Sequence, residues 1–116
     1  VEDIDMIHII RSRATAQQIA DMLEALSDYI KLAVDVQRGI LAGGGAMRAD
    51  CESVLLDDGS VQEDVWGADW YPSSQQVAYE SLINIRPRQG NRSLEVTDPE
   101  LRARIADIVH AVLGEI

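Results

Sequence analysis

The apolar residues change period several times along the chain, and each change marks an element. Ile7–Ile10 is a short apolar run that predicts a strand. Ile19, Met22, Leu23 and Leu26 then recur at helical spacing, behind Thr15 and Gln18, which stand at the spacing of a capping box. This pattern predicts a helix of about three to four turns with one buried face. From Ile30 the period becomes two. Ile30, Leu32, Val34 and Val36 face one way, and Lys31, Ala33 and Asp35 the other, as in a half-buried strand. Gln37-Arg38-Gly39 is a turn back into Ile40–Ala42, which gives a hairpin.

Further strands are expected at Glu52–Leu56, Val65–Tyr71 and Tyr79–Arg86, separated by the turn Asp57-Asp58-Gly59-Ser60 and the loop Pro72–Gln76. Pro87 closes the last of them, because proline cannot donate to a ladder. Gly43-Gly44-Gly45 reads as a flexible connection at the edge of a site. The final element has the clearest start: Thr97-Asp98-Pro99-Glu100 supplies a cap, a first-turn proline and an early carboxylate. Leu101, Ile105, Ile108, Val109 and Val112 then form one stripe, and Gly114 marks the end. The fold expected is α+β, in two layers: a mainly antiparallel sheet of about five or six strands with two amphipathic helices packed on it.

At 116 residues there is room for one domain, 6–116, behind a five-residue leader or expression remnant, Val1–Asp5. Basic residues number 10 and acidic residues 20, a net charge of −10, which disfavours nucleic acid as a partner. The single cysteine, Cys51, excludes a disulfide framework and a multi-cysteine metal site. With no membrane-length apolar run and no targeting segment, a cytoplasmic protein is expected. Trp66 and Trp70 fall on one face of their strand and are expected at a contact surface, hence a homodimer.

Against this acidic background, Arg86, Arg88 and Arg92 stand out. They cluster with Gly90, Asn91 and Ser93 at the exit of a strand. Guanidinium forks fit phosphate or carboxylate, and Gly90-Asn91 readily take positive φ and can aim amides at one point, so Arg86–Ser93 is a candidate anion site. The competing reading pairs these arginines with the chain's own carboxylates, of which seven lie between 50 and 69 with no cation among them. Asp50 and Glu52, with Asp35 as a third, are a candidate site for a divalent cation if a strand presents them on one side. No other cofactor is expected. Cys51 has no histidine placed beside it by the sequence, so a buried thiol is its expected state.

Several of these segments carry a resemblance. Ala49-Asp50-Cys51-Glu52, Gly59-Ser60, Trp66-Gly67, Tyr71-Pro72 and, above all, Ser81-Leu82-Ile83-Asn84-Ile85-Arg86-Pro87 with Gly90-Asn91-Arg92-Ser93 resemble an uncharacterised prokaryotic family of small proteins, a domain of unknown function. The resemblance spans Met6 to Leu113. It implies a histidine before the Ala-Asp pair where this chain has Arg48, so a His-plus-carboxylate metal centre would lack its histidine here. Two functions are carried forward. One is a homo-oligomeric module binding a protein partner or a small anionic ligand. The other is a small metal-assisted hydrolase of a phosphorylated or anionic molecule, with Asp50, Glu52, Arg86 and Arg92 converging on one cleft.

Overall fold

The computed structural model describes residues 7–115, so the leader expected at Val1–Asp5 lies outside the described residues. The elements run β1 (His8–Ile10), α1 (Ala16–Leu23), β2 (Ile30–Asp35), β3 (Ile40–Gly43), α2 (Arg48–Asp57), β4 (Val65–Tyr71), β5 (Gln76–Ala78) and α3 (Pro99–Leu113). The five strands form one antiparallel sheet in the order β1-β3-β2-β4-β5. The α+β class is as the sequence predicts. Among the described residues no helix is long and apolar enough to cross a membrane.

Alternation along β2 builds a core on each face of this sheet. Ile30, Leu32 and Val34 pack with Met22 of α1 and with Ile105 and Val109 of α3. Ala33 packs on the opposite face with Cys51 and Leu55 of α2, joined by Ala42 and Val65. The helices begin where capping chemistry dictates. Thr15 and Gln18 exchange side-chain bonds with each other's backbone, 2.9 and 3.1 Å, and Asp98 accepts from the Glu100 amide at 2.9 Å. α1 is only 8 residues long, shorter than its apolar spacing predicts, because the chain leaves helical geometry for a left-handed Ser27 at φ 69°.

Four expectations need correction. Residues 52–56 are helix, not strand: Cys51 and Leu55, four apart, are the buried pair that docks α2. Residues 79–86 are not a strand either. β5 ends at Ala78, and two 3-10 turns follow, Leu82–Asn84 and Pro87–Gln89. The glycine triplet is not a flexible connection. Gly43 is the last residue of β3, and a Cβ there would stand 2.8 Å from Leu32, so the absence of a side chain is what lets the strands close. Trp66 and Trp70 are both buried in the core beside α3, which removes the exposed indoles that motivated a tryptophan interface and a homodimer.

The turns after β2 and α2 are held by carboxylates. Asp35 Oδ1 accepts from the amides of Gln37 and Arg38, both at 2.9 Å, and so fixes the hairpin turn. Asp58 takes Arg11 at 2.7 Å and Arg38 at 2.8 Å, and these hydrogen bonds draw its pKa from the ordinary 3.8 down to about 2. A carboxyl depressed by folding adds stability that is complete above its unfolded pKa and is lost as pH falls through the folded one. The expected result is a carbon-detected NMR titration of Asp58 with its midpoint near 2, and with Arg38→Ala moving that midpoint toward 3.8. A wild-type midpoint near 3.8 would contradict the bridge.

Candidate functional site

β4 has two different neighbours along its outer margin. Its second half, Asp69–Tyr71, pairs with β5. Alternate residues of an antiparallel strand turn both backbone groups to the same neighbour, so Gly67 and Val65 continue that margin beyond the end of β5. There the partners are side chains. Asn84 Oδ1 accepts from the Gly67 amide at 2.8 Å, and Asn84 Nδ2 donates to the Gly67 carbonyl at 3.0 Å. Arg86 Nη2 donates to the Val65 carbonyl. The segment can lie this close because residue 67 is glycine: a Cβ there would stand 2.5 Å from that of Ser81.

Asn84 also donates to the carbonyls of Tyr79 at 3.1 Å and Leu94 at 3.3 Å. A second buried amide, Asn91, organises the rest of the segment. Its Nδ2 donates to the carbonyls of Asn84, Ser93 and Glu95 at 2.7–3.0 Å. Its Oδ1 accepts from the amide and the hydroxyl of Thr97, both at 2.9 Å. Arg86 and Asn91 pair through their backbones, and Gly90, at φ 79°, makes the turn between them.

These bonds redistribute the roles expected for Arg86–Ser93. A guanidinium has five N–H donors, and in Arg86 all five are engaged. Nε donates to Ile83 O at 2.9 Å, Nη1 to Gln62 O at 2.7 Å and Gln89 Oε1 at 3.5 Å, and Nη2 to Val65 O and to Glu52 Oε2 at 3.2 Å. Its plane lies over the Trp66 ring at 4.6 Å, and burial pulls its pKa below the ordinary arginine value. Arg86 is thus a buried strut with no donor left for a guest. The amides of Gln89, Gly90 and Asn91 are likewise taken, by carbonyls of Arg86 and Pro87, so they form no anion nest. Ser93 Oγ accepts from the Glu95 amide. Arg88 and Arg92 differ: both are exposed, and among the described residues neither makes a hydrogen bond or an ion pair.

Asp50 and Glu52 do not share a side. On a helix, positions two apart diverge by about 200°. Glu52 turns to Arg86, while Asp35 is committed to its hairpin turn, so the three expected cation ligands are not brought together. Among the described residues no group of three or more His, Cys, Asp or Glu is arranged to hold a metal. Arg48, where the resemblance implied histidine, makes a two-pronged bridge to Asp69 at 2.9 and 2.7 Å. The Cys51 thiol donates to Lys31 O at 3.6 Å, and burial pushes its pKa up to about 11, which leaves negligible thiolate for nucleophilic work.

A cleft of about 720 Å³ opens between α2 and the turns that follow Ser81. Its apolar wall is Leu82, Ile83, Ile85 and Pro87, with Leu82 75% and Ile85 44% exposed. Arg88, Gln62 and Glu63 provide polar groups, and the Glu52–Arg86 pair closes the far side. Of the expected site residues, Glu52, Arg86 and Arg88 line this cleft, whereas Asp50 and Arg92 do not. The sequence reading missed the structural amide Asn84 and the wall residues Leu82 and Ile85, and it assigned Asn91 to the anion site, where its side chain instead bonds the segment's own backbone. A signal existed for the first: an asparagine between isoleucines is costly in a core unless its amide is fully bonded.

No curated protein and no solved structure is similar enough to this chain to match it. One family model, described as protein of unknown function (DUF5674), does match over residues 8–112, nearly the whole chain, and the chain accordingly belongs to that family.

Proposed function

We propose that the protein is a non-catalytic binding module whose cleft receives a ligand with an apolar body and one anionic group. The observation that carries this reading is Arg88. It is an exposed guanidinium whose donors are unspent among the described residues, and it lines a cleft of about 720 Å³ beside four apolar residues. That volume lies within the roughly 300–1,000 Å³ usual for ligand sites, and an arginine fork reads a carboxylate with paired hydrogen bonds. Hydrolysis is less well supported. Arg86 has no free donor, Glu52 is spent on it, and Asp50 and Arg92 stand outside the cleft.

The test is an NMR titration with hexanoate and with N-acetyl-leucine. Saturable shifts are expected at the Arg88 Nε–H and at the Leu82 and Ile85 methyl groups. Arg88→Ala should abolish them while changing stability by less than about 0.5 kcal/mol, as for other exposed side chains without partners. Absence of any saturable shift at millimolar ligand would refute the reading.

A further inference from the structure

A second hollow, about 160 Å³, adjoins the cleft. Leu82 and Ile83 line both, so one apolar wall separates two unequal depressions. Apolar exposure gathers here: Met47, 57% exposed, lines the small hollow, Ile85 the large one, and Leu82 both. From this arrangement we infer that the face is the seat of an extended peptide segment of a partner protein, with apolar side chains at positions i and i+2 and an acidic side chain reaching Arg88. The inference rests on the binding reading above and names its ligand.

Geometry and charge both point to a peptide. In an extended chain, side chains two residues apart project on the same side at a spacing of about 7 Å. Neighbouring hollows that share Leu82 and Ile83 offer two such side chains separate seats, one for a small residue and the other for a large one. The Gln62 side-chain amide has no hydrogen bond among the described residues, so it offers a peptide unit both a donor and an acceptor. Methionine, flexible and polarisable, suits a surface that must adapt to side chains.

Charge also favours a partner with an acidic residue at this point. Four of the 10 basic residues, Lys31, Arg48, Arg86 and Arg88, line the two hollows, against two of the 20 acidic ones, Glu52 and Glu63. Glu52 neutralises Arg86, and Asp69 neutralises Arg48. Lys31, which donates to the Ala46 carbonyl in the small hollow, and Arg88 in the large one then outnumber Glu63 by a single positive charge, on a chain whose net charge is −10. A carboxylate is attracted to this excess and repelled by the rest of the surface, which fixes the direction of the bound segment.

The experiment is panning of a random heptapeptide display library on the immobilised protein, followed by fluorescence polarisation with synthetic peptides of the enriched sequence. Expected is a consensus with two apolar residues separated by one position and an Asp or Glu near them. Arg88→Ala and Leu82→Ser, both at exposed positions, should each weaken the synthetic peptide about tenfold or more, and Arg13→Ala should leave it unchanged. Lack of enrichment over the Arg88→Ala/Leu82→Ser double variant would overturn the inference. So would a consensus indifferent to both substitutions. Concentration-dependent self-association lost in Leu82→Ser would overturn it too, by assigning the face to a second copy of the chain. If small carboxylates still shift Arg88 while no peptide is enriched, the peptide falls and the binding cleft stands. If neither binds, both fall.

Discussion

Asn84→Ala is expected to lower stability by about 3–5 kcal/mol, because each buried polar group left without a partner costs about 1–3 kcal/mol. Alanine would orphan the amide and carbonyl of Gly67, and would take a second donor from the Tyr79 and Leu94 carbonyls, which keep only the amides of Val96 and Ser81. Asn84 is itself fully buried, so water reaches these groups only after local opening. Domains of this kind have about 5–15 kcal/mol in total, so the loss is a large fraction of what holds the fold. Thermal unfolding should begin roughly 12–20 °C lower. Asn84→Asp should not rescue it, since a carboxylate keeps the acceptor for Gly67 but sets charge against three carbonyls. Urea denaturation measures the effect, and a loss below about 1 kcal/mol would mean that water takes the amide's place without penalty.

Arg86→Ala should be comparably severe, about 3–5 kcal/mol, the range found when one partner of a buried ion pair is removed. The Arg86 and Glu52 side chains are only 10% and 12% exposed. Truncation would strand the Glu52 carboxylate, release the carbonyls of Val65 and Ile83, leave that of Gln62 with the Val65 amide alone, and uncover the Trp66 ring. Arg86→Lys should recover less than half of the loss, because an ammonium has three donors where five are used and no plane to lay on an indole. A double-mutant cycle with Glu52→Gln would separate the ion pair from the carbonyl bonds. The contrast with Arg88, two residues away, is the decisive comparison. Arg86→Ala should remove a large part of the stability, and Arg88→Ala should leave the fold intact and empty the cleft. If Arg86→Ala is as benign as Arg88→Ala, Arg86 is not the strut described above.

The legible part of the fold was the part governed by periodicity and capping. β2, β4 and α3 follow from alternation, from the helical stripe and from Thr97–Glu100, and the hairpin from Gln37-Arg38-Gly39. α2 was hidden because its apolar residues do not form a clean stripe: Leu56 sits beside Val54 and Leu55, so the stretch looks like a buried strand at short range. The Tyr79–Arg86 segment misled for a different reason. Its alternation is a feature of the sequence only: the 3-10 turn at Leu82–Asn84 buries Ser81 and Asn84, three apart, and brings the side chains of Asn84 and Arg86, rather than a backbone ladder, to the β4 margin. Periodicity shows which residues share a side and says nothing about whether backbone or side chain makes the bond. The anion site was legible as a cluster, and its division was not. Whether an arginine is spent or free depends on carbonyls that lie 21 to 24 residues away in sequence.

One stretch of about a dozen residues therefore carries two alphabets. Ser81, Asn84, Arg86 and Asn91 spell the attachment to the scaffold, and Leu82, Ile85 and Arg88, interleaved with them, face outward. The second set can be rewritten letter by letter without loosening the first. Such a device separates evolvability from foldability within a single loop. An engineer wishing to retarget the molecule would randomise those three outward positions and hold the other four fixed.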